Sequence, residues 1–137
     1  MRKVVICLIL LASTLAFGQQ WQTIKSMSLL QQNQPVPLTT LLTPSVPGIY
    51  RLTFYFSVGG GAGITPPGFF DATLTGQDIT GLPDNLDLVL SCKQQNFESV
   101  SQVVSLKTGV PLTYIVTTSG STGNCTYNVA ITVEQLL

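Results

Sequence analysis

The sequence predicts an all-β protein, a jelly-roll-like two-sheet β-sandwich of about eight antiparallel strands. The first indication is a period of two: apolar and polar residues alternate through residues 49–58 and again through 126–134, as half-buried strands require. The second is composition, because Thr, Val, Ile, Tyr and Phe dominate between recurrent Pro and Gly residues, which disfavours helices. The third is spacing, because candidate strands and turns follow one another at intervals typical of a sandwich.

Residues 1–18 are typical of a secretory signal peptide. Two basic side chains follow the initiating Met, residues 4–16 contain no charge, and Ala16 and Gly18 place small side chains where signal peptidase requires them. The uncharged run is shorter than the roughly 20 residues that span a bilayer. We therefore expect cleavage near Gly18, no membrane anchor, and a protein that is secreted or lies at the cell surface or in the periplasm.

Cleavage there leaves an N-terminal segment, residues 19–35, and a sandwich domain, residues 36–137. The segment has apolar residues without a clean period and ends at a Pro-Val-Pro sequence, so two interpretations stay open. It forms the first strand of its own sheet, around residues 22–30, or it is an arm donated to a neighbouring copy. Trp21, the single tryptophan, is a candidate contact to such a partner.

The sandwich domain is predicted to contain seven further strands. In chain order they span residues 36–42, 49–58, 69–75, 86–92, 100–107, 112–118 and 126–134. Turn sequences rich in Gly, Pro, Asn and Asp separate them, and residues 100–107 are expected to pair with 112–118 as a hairpin. The predicted core consists of Tyr50, Leu52, Phe54, Phe56, Leu88, Leu90, Val104, Leu106, Tyr114, Val129 and Ile131.

Three short stretches resemble the C1q/TNF-like jelly rolls and small secreted β proteins of bacterial or phage type. Residues 43–54 contain a Pro-Gly-Ile-Tyr turn that leads into an aromatic-rich strand. Residues 103–116 resemble the strand, L-x-x-G, strand hairpin of those domains, and residues 127–136 resemble their closing strand. The resemblance implies a jelly roll that binds or assembles rather than catalyses, and it implies a trimer. The cysteine pair departs from the family pattern.

Two cysteines, Cys92 and Cys125, remain after removal of the signal peptide. Each is in phase with the apolar face of its predicted strand, so both are expected at the core. In an oxidising compartment such a pair predicts a disulfide, with two buried free thiols as the alternative. The bond would close a loop of about 34 residues and stabilise the fold by roughly 3–4 kcal/mol.

Missing residue types exclude several functions. The chain has no His, which excludes Ser–His and Cys–His catalysis and His-based metal sites. Neither G-x-S-x-G nor S-x-x-K occurs, and a hydrolase with paired carboxylates is the disfavoured remaining alternative. Without the signal peptide, four basic side chains are outnumbered by six acidic ones, a net charge of −2, so no nucleic-acid partner is expected. We expect no enzyme and no cofactor.

Aromatic and acidic residues near predicted loops are the candidate ligand contacts. Phe69 and Phe70 follow a segment rich in Gly and Pro, and because neighbours in a strand face opposite sides, one of them is expected to be exposed. An exposed ring is a candidate contact for a partner or a sugar. Asp84, Asn85 and Asp87 provide hard oxygen ligands and are candidates for a calcium site, although such residues are also ordinary in turns.

The composition and the resemblance favour a secreted, non-catalytic structural or binding protein that acts in adhesion, in surface assembly or as a filament subunit. Its partners would be other copies of the chain, in a trimer or a strand-exchange polymer. The alternative function is a carbohydrate-binding module, with a glycan as partner, that uses loop aromatics such as Phe69, Phe70 or Tyr55.

Overall fold

The computed structural model describes residues 19–60, 67–93 and 95–137, and eight β-strands lie within them. They are β1 (Trp21–Gln32), β2 (Val36–Leu42), β3 (Gly48–Gly59), β4 (Phe69–Gln77), β5 (Pro83–Ser91), β6 (Asn96–Leu106), β7 (Leu112–Ser119) and β8 (Thr126–Leu136). Every predicted strand is present. The largest differences lie at the starts of β5 and β6, which begin three and four residues earlier than predicted.

Two sequence features lie outside the described residues: the predicted signal peptide, residues 1–18, and the glycine-rich stretch within residues 61–66. Within the described ranges, no helix has the length and apolar character needed to cross a membrane. The signal peptide and the extracytoplasmic location therefore stay predictions from the sequence.

The eight strands form two four-stranded antiparallel sheets. Sheet A has the order β1-β8-β3-β6, and sheet B has the order β2-β7-β4-β5. The first strand pairs with the eighth, the second with the seventh, the third with the sixth and the fourth with the fifth. This pairing arises when one long antiparallel ribbon wraps into two packed sheets, and it defines a jelly roll. The predicted fold class is confirmed, as is the β-sandwich part of the resemblance.

The predicted hairpin between β6 and β7 is wrong. β6 lies at the edge of sheet A beside β3, whereas β7 lies in sheet B between β2 and β4. Backbone hydrogen bonds hold the crossing segment: Lys107 N–H donates to Gln77 O and Gly109 N–H donates to Pro44 O, each at 2.9 Å. Alternation cannot reveal this difference, because strands that pair and strands that face each other across a core both turn apolar side chains inward.

The core lies between the inner faces of the two sheets, and all eleven residues predicted to form it are buried. The ring of Tyr127 lies 5.8 Å from that of Phe56 and 4.7 Å from that of Phe70, measured between centroids. The Tyr127 hydroxyl donates to the carbonyl of Gln34 at 2.6 Å. Among the described residues, every buried side-chain N or O atom has a hydrogen-bond partner. Burial of this core therefore does not carry the free-energy cost of an unpaired polar group.

The N-terminal segment forms the first strand of its own sandwich. β1 pairs with β8 from Trp21 opposite Leu136 to Gln32 opposite Tyr127, and the side chains of Met27 and Leu29 pack against the core. This is the first of the two interpretations that the sequence left open. Exchange of the strand between copies stays a prediction.

A candidate binding groove on the outer face of sheet A

The outer face of sheet A has mostly small polar side chains. β3 turns Phe54 and Phe56 into the core, so Thr53, Tyr55 and Ser57 point outward. Other residues on this face are Ser26, Ser28, Ser99, Ser101, Ala130 and Thr132. Because these side chains are short, they leave a large ring on the same face uncovered.

Two aromatic rings stand on one end of this face. Tyr55 on β3 and Phe97 on β6 are diagonal neighbours, because Tyr55 is opposite Ser99 and Phe97 is opposite Ser57. Their ring centroids are 6.3 Å apart and the ring planes differ by 26°, an offset arrangement that aromatic pairs prefer. Phe97 is 67% exposed and Tyr55 is 37% exposed, so solvent reaches both rings.

A groove adjoins the two rings where β3, β6 and β8 meet. Its lining residues are Tyr55, Ser57, Val58, Gly59, Gln95, Asn96, Phe97 and Asn128. None of them is charged, and four of them have neutral amide or hydroxyl side chains beside the rings. We call this site the Tyr55–Phe97 groove. It suits a ligand that is apolar on one side and rich in neutral hydrogen-bonding groups at its edge.

A chain of hydrogen bonds connects edge strand β1 to the groove. The backbone N–H of Gln31 donates to Oδ1 of Asn128 at 2.8 Å, and Nδ2 of Asn128 donates to Oγ of Ser57 at 3.0 Å. Gln31 lies where the pairing of β1 with β8 is irregular, and its φ is 52°, a left-handed conformation that residues other than Gly rarely adopt. The irregular stretch thus fixes the orientation of two polar side chains of the groove.

The two phenylalanines proposed as ligand contacts face opposite sides, as predicted. Phe70 is fully buried against Tyr127 and cannot contact a ligand, so that candidate is wrong. Phe69 is 41% exposed on the outer face of sheet B, where Ser91 and Ser119 flank it. It therefore lies on the opposite sheet from the Tyr55–Phe97 groove.

Trp21 contacts a side chain of its own chain. The guanidinium carbon of Arg51 lies 4.7 Å from the centre of the indole ring, a cation–π geometry. Arg51 Nε also donates to a carboxylate oxygen of Glu134. The hydrogen bond from Arg51 lowers the pKa of Glu134, and the same bond raises the pKa of Arg51. One face of the Trp21 ring is thus covered from within, and its role as a partner contact stays a prediction.

The structure does not bring the three calcium candidates together. All three lie on β5, where Asp84 shares the inward phase of Leu86 while Asn85 and Asp87 point outward. The Oδ1 atom of Asp84 accepts a hydrogen bond from the Gln102 side chain at 3.1 Å. Across the described part of the chain, no group of three or more His, Cys, Asp or Glu residues is placed to hold a metal ion.

The nearby carboxylate of Asp78 is also engaged, in the turn that precedes β5. One of its oxygens accepts hydrogen bonds from the hydroxyl and the backbone N–H of Thr80 and from the N–H of Leu82, at 2.6, 2.8 and 2.9 Å. These bonds, that from the Thr80 hydroxyl foremost, lower the pKa of Asp78. The carboxylate stabilises its own turn, as Asp does when its side chain accepts from the backbone that follows it.

The two cysteines lie side by side at one end of the sandwich. Cys92 follows β5 in sheet B and Cys125 precedes β8 in sheet A, and both are fully buried free thiols. The Cys125 thiol donates to the backbone carbonyl of Cys92 at 3.5 Å. Burial, with the neighbouring thiol of Cys125, raises the pKa of Cys92 to about 12. The predicted burial and proximity are confirmed, whereas the disulfide itself stays a prediction.

Sequence reasoning missed most of the groove. It named Tyr55 only as a loop aromatic, although the residue lies in the middle of β3, and it named neither Phe97 nor Asn128. Tyr55 occupies the outward phase of the alternation in residues 49–58, and a large aromatic ring in a polar phase is the signal that marked it. No comparable signal marked Asn128, because its contacts depend on the register of three strands.

Comparisons with known proteins do not assign the chain to a family. No family model matches it, and no curated protein matches it. A solved structure of infectious bursal disease virus, Gx strain, is similar at a TM-score of 0.44 and 14% identity, over 85% of this chain and 33% of the viral chain. A family 16 carbohydrate-binding module is similar at a TM-score of 0.36 and 9% identity, over 89% of this chain and 86% of that chain. The chain thus spans a third of the viral chain. These similarities are too low to indicate function, and the strand order of this chain alone establishes the sandwich.

Proposed function

We propose that this protein is a secreted, non-catalytic binding module and that the Tyr55–Phe97 groove binds carbohydrate. The observation that supports this most directly is the pair of exposed, nearly parallel rings beside uncharged amide and hydroxyl groups. Export by a signal peptide in residues 1–18 belongs to the same proposal. It rests on the sequence pattern alone.

The chemistry of a sugar ring matches both parts of the groove. One face of a pyranose presents C–H groups that pack against an aromatic ring, and this contact removes apolar surface from water. Its hydroxyl groups point outward from the ring edge, where Asn96, Ser57 and Asn128 provide donors and acceptors. Anchors of this kind, aromatic rings in a polar surround, dominate the affinity of many binding sites.

The test compares Phe97→Ala with Phe69→Ala. We expect the processed protein to bind at least one of four neutral hexasaccharides (cellohexaose, laminarihexaose, xylohexaose and mannohexaose) in titration calorimetry. Phe97→Ala should lower that affinity by at least about tenfold, because it removes the more exposed ring. Phe69→Ala removes an exposed Phe from the opposite sheet and should leave affinity unchanged.

Two results would contradict carbohydrate binding at the groove. One is the absence of binding to all four hexasaccharides at millimolar concentration. The other is an equal loss of affinity in the two variants, since an effect that does not distinguish the two sheets is not located at the Tyr55–Phe97 groove.

Assembly is a second candidate function, and the exposed edge of sheet A favours it. β6 is 11 residues long, and in the described part of the chain its outer edge is paired only near its end, where Ile79 N–H donates to Ser105 O at 2.9 Å. Its sequence has a single charged residue, Glu98, and no Pro, so it lacks the features that usually prevent edge-to-edge pairing. Membership of the C1q/TNF family, and the trimer that membership implies, belong to this second proposal.

Light scattering coupled to size exclusion tests assembly. We expect the mass to rise with protein concentration, and we expect Val103→Lys to abolish that rise, because Val103 is 56% exposed on β6 and edge lysines oppose pairing. Val46→Lys is the matched control, since Val46 is 46% exposed in the bend before β3 and lies outside β6. A monomer at every concentration contradicts assembly and leaves carbohydrate binding unaffected.

A further inference from the structure

We infer that Ser57 is a ligand-binding hydrogen-bond donor of the Tyr55–Phe97 groove, that Asn128 positions its hydroxyl, and that the ligand is an uncharged saccharide with an acceptor oxygen above Ser57. This inference rests on the proposed carbohydrate function and assigns its ligand class and a polar contact.

The direction of the two hydrogen bonds follows from the backbone N–H of Gln31, which can only donate. The backbone N–H of Gln31 points at the side-chain amide of Asn128, so the atom facing it is the amide oxygen. The NH₂ group of Asn128 must then face Ser57, whose oxygen accepts from it at 3.0 Å. With its oxygen occupied in this way, the Ser57 hydroxyl is left to donate its own proton to a ligand in the groove that Ser57 lines.

The conformation of Gln31 is what makes this arrangement possible. In regular antiparallel pairing the N–H groups of β1 bond to the backbone of β8 or point to the other side. Gln31 instead lies in an irregular stretch with φ of 52°, and it is the single residue other than Gly with positive φ among the described residues. Such conformations persist where the surrounding structure holds them, often at functional sites.

The absence of charge among the lining residues selects the ligand class. None of the eight residues is Asp, Glu, Lys or Arg, and a charged ligand group that leaves water without a partner is strongly disfavoured. A uronic acid or an amino sugar would therefore be excluded, whereas neutral hydroxyl groups find donors and acceptors. The Ser57 proton requires an acceptor oxygen, which every neutral sugar ring has.

The test uses three substitutions measured against the four neutral hexasaccharides and hexagalacturonic acid. Ser57→Ala removes the donor. Asn128→Asp keeps the acceptor for Gln31 N–H but cannot donate to Ser57, so it turns the Ser57 proton away from the groove. Ser28→Asp is the control for charge, because Ser28 is exposed on the same outer face, opposite Ala130, and does not line the groove.

We expect Ser57→Ala and Asn128→Asp each to weaken binding by roughly fivefold, the size of one net hydrogen bond. The double variant should be no weaker than Asn128→Asp alone, because both changes remove the same donor. Ser28→Asp should change affinity by less than about twofold, and hexagalacturonic acid should not bind. Binding of hexagalacturonic acid, unchanged affinity in Ser57→Ala, or an equal loss in Ser28→Asp would each overturn the inference.

Failure of the inference and failure of the proposed function give different results. If Phe97→Ala abolishes binding while Ser57→Ala leaves it unchanged, the carbohydrate function stands and the assignment of Ser57 is wrong. A readout without sugar tests the positioning itself. Hydrogen exchange of the Gln31 backbone amide should be slow in the unmodified protein and in Asn128→Asp, and fast in Asn128→Ala. Equal exchange rates in all three would overturn the positioning role.

Discussion

Replacing Phe70 with Ala is expected to lower the free energy of unfolding by about 3–5 kcal/mol. Replacing its neighbour Phe69 with Ala is expected to lower it by about 1 kcal/mol or less. Phe70 is fully buried and its ring contacts that of Tyr127 across the two sheets, so truncation leaves a cavity that packed sheets close only in part. Phe69 is 41% exposed, and its truncation leaves no cavity.

Equilibrium unfolding in urea, monitored by far-ultraviolet circular dichroism, measures both variants on one scale. The two variants contain the same Phe→Ala substitution at neighbouring positions. Effects of the substitution on the unfolded chain therefore largely cancel when the two are compared. Similar losses of stability in the two variants would contradict the assignment of Phe70 to the core. The slope of free energy against urea should not change in either variant.

The orientation of these two residues was available in the sequence. Phe70, Ala72 and Leu74 share one phase of β4, whereas Phe69, Asp71 and Thr73 share the other. The first set is wholly apolar, so the phase alone assigns Phe70 to the core. The same reasoning placed the clearest strands, residues 49–58 and 126–134, and the predicted core residues in them, because burial of one face determines alternation locally.

Pairing between strands was less accessible than the strands themselves. The sequence placed 100–107 and 112–118 correctly as strands but paired them, whereas the chain crosses from sheet A to sheet B at this point. Alternation records which side of a strand faces the core and contains nothing about which strand lies beside it. The resemblance to C1q/TNF-like domains did not supply the pairing either, because it too gave residues 103–116 as a hairpin.

The residues of the Tyr55–Phe97 groove meet only through strand pairing, which the sequence did not predict. Tyr55, Phe97 and Asn128 come from three strands and meet because β3 pairs with both β6 and β8 in one register. A shift of either partner by one residue would turn Phe97 or Asn128 to the inner side. The start of β6 was also predicted four residues late, which left Phe97 outside any predicted strand.

Formation of a disulfide between Cys92 and Cys125 is expected to raise the free energy of unfolding by roughly 3–4 kcal/mol, because the bond closes a loop of about 34 residues in the unfolded chain. The two thiols already lie together at the end of the sandwich, so the bond requires little movement of the sheets. Unfolding in urea of oxidised and reduced samples of the same protein measures the difference, and a thiol assay under denaturing conditions establishes the state of each sample.

The difference between the two samples should widen at alkaline pH. In the reduced protein, burial and the adjacent thiol raise the pKa of Cys92 from 9.0 to about 12. A group whose pKa is higher in the folded state makes its full contribution to stability at pH values below its pKa in the unfolded state. That contribution is lost as pH rises from the unfolded value through the folded one. The oxidised protein has no thiol to titrate, so it should not lose this contribution.

The Cys92→Ser, Cys125→Ser double variant separates the covalent bond from the packing of the sulfur atoms. It should unfold with the same stability in the presence and absence of reductant, and it should not show the widening difference above the ordinary thiol pKa. A processed protein that retains two free thiols after air oxidation in the unfolded state and refolding would contradict the disulfide. Because the thiolate is the reactive form and burial suppresses it in the folded protein, bond formation should be fast during refolding and slow once the reduced chain has folded.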